Sequence, residues 1–235
     1  MTGLYRMLGP WLPALRRMRR PSSLGALEPK PLSTEWGFDR GTPIDRYYIE
    51  RFLEAHAADV RGRVLEVKNS DYTRRFDRGV VRADVLDIDP GNANATILAD
   101  LTAADHVPAG QFDCFILTQT LQFIYDSRAA VTHAHRLLAP GGVLLVTLPV
   151  VSRIAPRYGP TTDFWRFTAA SCRRLFGDVF GESNVEVSTH GNVLVAMAFL
   201  QGAALEEIPR AKLDVDDPFF PLIVTVRAVR RDVVA

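Results

Sequence analysis

The chain has 235 residues, 47% of them apolar and 23% charged, the balance of a soluble globular protein long enough for one α/β domain with a core. A net charge of +1 excludes a global electrostatic pull toward nucleic acid. No apolar run approaches the ~20 residues that span a bilayer, and the N-terminus lacks the apolar core and small-residue cleavage site of a secretion signal.

The charge is unevenly placed. Residues 1–30 carry Arg6, Arg16, Arg17, Arg19, Arg20 and Lys30 against Glu28, a net +5 that leaves −4 on the remainder. Leu4, Met7, Leu8, Trp11, Leu12, Leu15 and Met18 fall at helical spacing in this leader, although Pro10 and Pro13 break any single long helix. The leader, set at residues 1–36, reads as a mobile tail or a helix packed on the domain. An amphipathic helix on an anionic membrane surface or on a partner is the other reading. A single domain is expected over residues 37–235. Within it, Gly37, Gly41 and Pro43 mark a loop, and Tyr48, Phe52, Leu53 and His56 give a helical face from Asp45, with Gly62 as a stop. Asp39, Arg40, Asp45 and Arg46 crowd the helix entry. They either cap the helix and pair with one another, or line a ligand site.

Three short apolar runs follow. Val64-Leu65-Glu66, Val85-Leu86-Asp87 and Ala95-Thr96-Ile97-Leu98 before Asp100 suit strands buried on both faces. Residues 106–110 form a loop, and Phe112–Leu117 is a fourth strand running into Thr118-Gln119-Thr120. Asp126 or Ser127 caps a helix to about Leu138, and Pro140-Gly141-Gly142 is a sharp turn into a fifth strand, Val143–Leu148. Residues 150–163 make a loop long enough to act as a lid. Thr168 caps a helix through Phe180. A strand at 185–189, an apolar helix at 193–205, an acidic turn at 214–217 and a last strand at 222–226 complete the pattern. Five strands alternating with helices predict a parallel sheet with right-handed crossovers, and the two late strands close its far edge. Cys114 and Cys172 read as buried thiols, consistent with a reducing cytoplasm.

In such a sheet the ligand lies across the carboxyl ends of the strands, here Glu66, Asp87, Asp100, Gln119 and Pro149. An acid at the end of the second strand suits ribose hydroxyls, and a polar group at the third suits an adenine edge. VLEVKNSDY, VLDIDP, ILADL, FDCFILTQTLQFI, LLAPGGVLLVTLP and DFWRFT, in that order, resemble the class I S-adenosylmethionine-dependent methyltransferases over roughly residues 37–230. GFDRGTPIDRYYIE and DFWRFT resemble a bacterial subgroup associated with polysaccharide or natural-product pathways. The resemblance implies a Rossmann-like methyltransferase sheet, mostly parallel with an antiparallel strand near one edge, and S-adenosylmethionine as cofactor. It also implies roles: Glu66 orders the loop near the methionine part, Asp87 takes the ribose hydroxyls, and Ile88 packs on adenine. Asp100 and Leu101 meet the adenine edge, and Gln119 stands beside the transferring methyl. Acids that merely cap the following helices are the competing reading.

The first loop departs from the family's glycine-rich pattern. It reads Glu66-Val67-Lys68-Asn69-Ser70-Asp71-Tyr72, with Lys68 where the first glycine is expected. Lys68 then either pairs with the cofactor's carboxylate or fills its pocket, Asn69 tolerates left-handed backbone, and Ser70 or Asp71 caps the next helix. For the acceptor, a small molecule with a hydroxyl, His190 and Asp163 are candidate bases. Tyr47, Tyr48, Trp165 and Arg166 are candidate walls. Each also has an ordinary reading as a packing or pairing residue. No metal-ligand spacing is present, so a metal-free reaction is expected. The alternative is a methyltransferase-like protein that transfers no methyl group and serves as a partner or a different catalyst. A nicotinamide dehydrogenase is disfavoured because no GxGxxG follows the first strand.

Overall fold

The computed structural model describes residues 29–156 and 159–231. The leader residues 1–28, with the proposed amphipathic helix, lie outside the described residues. Residues 32–235 make one compact unit.

Seven strands form one sheet: β1 (Gly62–Val67), β2 (Val80–Asp87), β3 (Ile97–Leu98), β4 (Phe112–Thr118), β5 (Leu138–Pro149), β6 (Val185–His190) and β7 (Ile223–Val229). Their order across the sheet is β3-β2-β1-β4-β5-β7-β6. The first five are parallel, and β7 inserts antiparallel to both β5 and β6. The order reverses between β1 and β4, so the carboxyl ends of those two strands bound the crevice where open α/β sheets bind ligands.

The central strands read as unbroken apolar runs because both their faces are covered. Phe115, Leu117, Leu144 and Val146 face one layer, where α3 (Ser127–Leu137) and α4 (Ala169–Phe180) supply Val131, Leu137, Cys172 and Phe176. The alternating partners Cys114, Ile116, Val143 and Leu145 face the other. There α1 (Ile44–Ala55) and α5 (Val193–Gln201) supply Ile44, Ile49, Leu53 and Phe199. Both cysteines are free and buried, and burial pushes the Cys172 thiol up to about 12. Two short α-helices, α2 (Asp71–Arg75) and α6 (Arg210–Leu213), and four single 3₁₀ turns complete the described elements. No helix among the described residues is long and apolar enough to cross a membrane.

Several expected boundaries move. Among the described residues no helix follows β2 or β3, so the alternation of strand and helix fails there and turns carry the crossings. Pro140-Gly141-Gly142 is no separate turn. It lies inside β5 as an irregularity, since Phe112 pairs with Leu138 but Cys114 pairs with Val143. A side chain at Gly142 would meet Ala139 O and Phe112 O at 2.8 Å, so the two strands close there only on glycine. The apolar helix expected to 205 stops at Gln201, because Gly202 turns left-handed (φ +71°) and its N–H reaches back to Ala198 O and Phe199 O. Gly62 is not a helix stop but the first residue of β1.

Candidate functional site

Glu66, near the end of β1, is only 2% exposed. Its carboxylate accepts from the Thr73 N–H (2.8 Å), the Thr73 hydroxyl (2.8 Å) and the Tyr72 N–H (3.2 Å). Glu66 therefore caps α2, the role expected of Ser70 or Asp71. The Ser70 side chain makes no capping bond. Burial raises the Glu66 carboxyl, and those three donors only partly offset it.

The chain leaves β1 through Lys68, whose backbone is left-handed at φ +71° and whose N–H donates to Leu86 O at 3.0 Å. Gln119, leaving β4, is left-handed too at φ +46°. For side chains other than glycine this conformation costs about 1–2 kcal/mol. At the end of β2, Asp87 Oδ1 accepts from the Asp89 N–H at 3.1 Å and Oδ2 from the Asn92 amide at 2.7 Å. Burial pushes the Asp87 carboxyl up. The Asp89 and Ile88 N–H groups, the Asn92 amide and the Lys68 charge outweigh it, so the group lies below the ordinary carboxylate range. Asp100 Oδ1 accepts from the Thr102 N–H and hydroxyl, each at 2.8 Å, closing its own turn.

These strand ends open onto two adjoining clefts. The larger, about 960 Å³, brings together Glu66, Lys68, Asn69, Asp87, Ile88, Asp100, Leu101 and Gln119, every residue expected at the cofactor. The smaller, about 460 Å³, lies toward β5 and β7 and is lined by Trp36, Asp45, Gln122 and Arg153 among others. Phe38, Arg46, Lys68, Gln119 and Phe123 line both and so mark the junction. Three non-glycine residues among those described have positive φ: Trp36, Lys68 and Gln119. All three line the smaller cleft.

Residues 49–146 match the family model described as a methyltransferase domain. Solved structures of similar fold include an S-adenosylmethionine-dependent methyltransferase from Archaeoglobus fulgidus, at 11% identity and TM-score 0.53, covering 79% of this chain and 94% of that one. The N-methyltransferase NodS from Bradyrhizobium japonicum, in complex with S-adenosylhomocysteine, is 15% identical with TM-score 0.50, covering 86% of this chain and 95% of that one. The cyclase SpnF is 15% identical with TM-score 0.51, covering 97% and 94%. This is the class I methyltransferase fold. The cofactor that goes with the matched domain is S-adenosylmethionine. No curated protein matches the sequence closely enough to count as a relative.

On the methyltransferase frame the expected acceptor residues separate. Asp163 and Arg166 line the smaller cleft. Asp163 is engaged on both oxygens, by Arg166 Nη1 (2.6 Å) and Nη2 (3.1 Å) and by the Ala155 N–H (2.9 Å). Arg166 also donates to Ser152 O and Arg153 O, so the pair pins the loop over the cleft. Trp165 lines neither cleft. Its indole donates to Ile124 O and Tyr125 O, and its ring stacks on Tyr125 at the mouth of the larger one. Tyr47 is turned away, its hydroxyl on Asp214. His190 lies in a third hollow at the β6 edge, between Asp216 (3.1 Å) and Thr225 (3.3 Å). Of the residues crowding the entry to α1, Arg40 pairs with Glu207 and Asp39 accepts from Ser33, while Asp45 and Arg46 reach the cleft. Gln122 and Arg153 were not singled out by the sequence, because a glutamine and an arginine in polar stretches carry no periodic or motif signal.

Proposed function

We propose that the larger cleft holds S-adenosylmethionine and that the protein methylates a hydroxyl of a small molecule, a sugar or natural product, held in the smaller cleft. The observation that carries this reading is the junction of the clefts. Two non-glycine residues there, Lys68 and Gln119, keep left-handed backbone at the ends of adjacent strands, and such strain persists where a site requires it. The residues fit the cofactor. Asp87, held ionised at the back of the cleft, would accept from the ribose hydroxyls, with Ile88 and Leu101 as the apolar walls and Asp100 at the adenine edge. Lys68 and Arg46 at the junction would meet the carboxylate of the methionine part. Bound there, S-adenosylmethionine would supply an electrophilic methyl group; its transfer to an oxygen would break the methyl–sulfur bond, leave S-adenosylhomocysteine and free the hydroxyl proton.

The chain's own task is to align the acceptor and take that proton. Asp163 is poorly suited, because Arg166 and Ala155 occupy both its oxygens, and it acts instead as the anchor of the loop. His190 lines neither cleft. Asp45 is the better base. The residue lines the smaller cleft, its Oδ1 has no hydrogen-bond partner, and burial raises its carboxyl despite the neighbouring Arg46. The reading involves no metal.

The second reading, a protein of this fold that transfers no methyl group, rests on Lys68 in place of glycine and on the fold's occurrence in a protein described as a cyclase. Calorimetry with S-adenosylhomocysteine separates the two. Binding in the micromolar range supports the methyltransferase reading, and no heat at millimolar ligand ends it.

A further inference from the structure

We infer that the acceptor taken by the smaller cleft is a polyhydroxylated anion, a sugar acid or sugar phosphate, whose anionic group is gripped by Arg153 while its hydroxyls meet Asp45 and Gln122. The inference rests on reading this cleft as the acceptor site. Four buried side-chain atoms of its lining have no hydrogen-bond partner: Asp45 Oδ1, Gln122 Oε1, Arg153 Nε and Arg153 Nη2. Leaving a buried polar group unpaired costs about 1–3 kcal/mol, so four such atoms on three residues lining one cleft point to a ligand that pairs them when those side chains turn to meet it. The other such atoms among the described residues are on His133, Arg136 and Thr147, and none of those three lines either cleft.

The types of atom define the ligand. Gln122 is 6% exposed, and its amide nitrogen already donates to Gln119 O at 2.9 Å, which leaves the oxygen as an acceptor. Asp45 Oδ1 is a second acceptor. Two acceptors call for donors, and hydroxyls supply them. Arg153 presents Nε and Nη2, the two donors on one edge of the guanidinium, a fork that matches a pair of carboxylate or phosphate oxygens. Its guanidinium carbon lies 4.0 Å from the Trp36 ring centroid, which steadies the fork, and its main-chain carbonyl accepts from Arg166 Nη2 at 2.7 Å, which steadies the backbone that carries it. The charged lining has the matching sign: Arg46, Lys68, Arg153 and Arg166 outnumber Asp45 and Asp163.

The test is calorimetric titration of the full chain with sodium glucuronate, glucose 6-phosphate and glucose, each with and without saturating S-adenosylhomocysteine. Glucuronate or glucose 6-phosphate should bind roughly ten- to a hundred-fold more tightly than glucose, the carboxylate and phosphate arms showing which anion fits. Arg153→Met, which keeps apolar contact with Trp36, should abolish that preference, and Arg153→Lys should restore only part of it. Circular dichroism of each variant checks that it is folded. Equal binding of glucose, no binding of any of the three, or a preference unchanged in folded Arg153→Met overturns the inference. Cofactor binding is measured in the same titrations, so the two readings fail separately. Heat with S-adenosylhomocysteine but none with the anions sinks only the acceptor class, and the reverse sinks only the cofactor reading.

Discussion

Asn92 ties Asp87 to the left-handed turn at Lys68. Its amide nitrogen donates to Asp87 Oδ2 and to Lys68 O, both at 2.7 Å. One side chain therefore fixes the Asp87 carboxylate and the strained turn together. Asp87→Asn should weaken S-adenosylhomocysteine binding by roughly ten- to a hundred-fold, the value of charge-assisted hydrogen bonds. Asn92→Ala should weaken it less, because Asp87 keeps its backbone donor from Asp89. Calorimetry at neutral pH measures both, and an Asn92→Ala loss larger than that of Asp87→Asn would contradict the assignment.

Lys68 separates stability from binding. Lys68→Gly should relieve the left-handed strain and raise stability by about 1 kcal/mol, less the chain entropy that glycine adds. Affinity for S-adenosylhomocysteine should fall about ten-fold if the ammonium meets its carboxylate. Lys68→Ala keeps the strain and loses the charge, so it should bind as poorly without the gain in stability. Urea unfolding and calorimetry on the two variants decide this, and tighter binding by either variant would show that the lysine blocks the pocket.

The Asp163–Arg166 pair should hold the loop shut in a pH-dependent way. Burial pushes the Asp163 carboxyl up, but Arg166 and the Ala155 N–H outweigh it, and the group lies below the ordinary aspartate value. A depressed value stabilises the folded form above the ordinary range, and that contribution is lost as pH falls through the folded value. Hydrogen-exchange protection at Ala155 should accordingly hold from neutral pH down to the ordinary aspartate range and collapse below it. Asp163→Asn should remove the protection at every pH, costing roughly 2–4 kcal/mol locally, since Arg166 is partly exposed and the full value for a buried pair does not apply.

Asp45 and His190 give opposite expectations. Once an acceptor is known, Asp45→Asn should lower kcat about a hundred-fold with little change in KM, the usual scale for a lost general base. His190→Ala should leave kcat within about two-fold, because the ring serves Asp216 and Thr225 at the far edge of the sheet. Release of S-adenosylhomocysteine is the readout. A collapse in His190→Ala with Asp45→Asn unaffected would return the base role to the histidine.

The sheet was legible in the sequence because burial on both faces writes itself as unbroken apolar runs, and parallel strands end where a carboxylate or a turn residue appears. Glu66, Asp87, Asp100 and Gln119 were readable as strand-end residues for that local reason, and the structure places all four on one cleft. The glycine-free loop was visible as well, since Lys68 simply stands in the line of residues. The two late strands and an antiparallel strand near one edge were expected, but not the order in which β6 and β7 would follow β5. Inserting β7 between β5 and β6 sent His190 to the far edge. The sequence alone could not show that Glu66 reaches forward to cap α2, nor that the loop after β5 folds back onto Asp163. Above all, Asp45, Gln122 and Arg153 come from three segments of the chain, separated by 77 and 31 residues. Local spacing determines which side chains share a strand or a helix face. Only the packing of distant elements decides which polar atoms share a cleft and are left there without a partner.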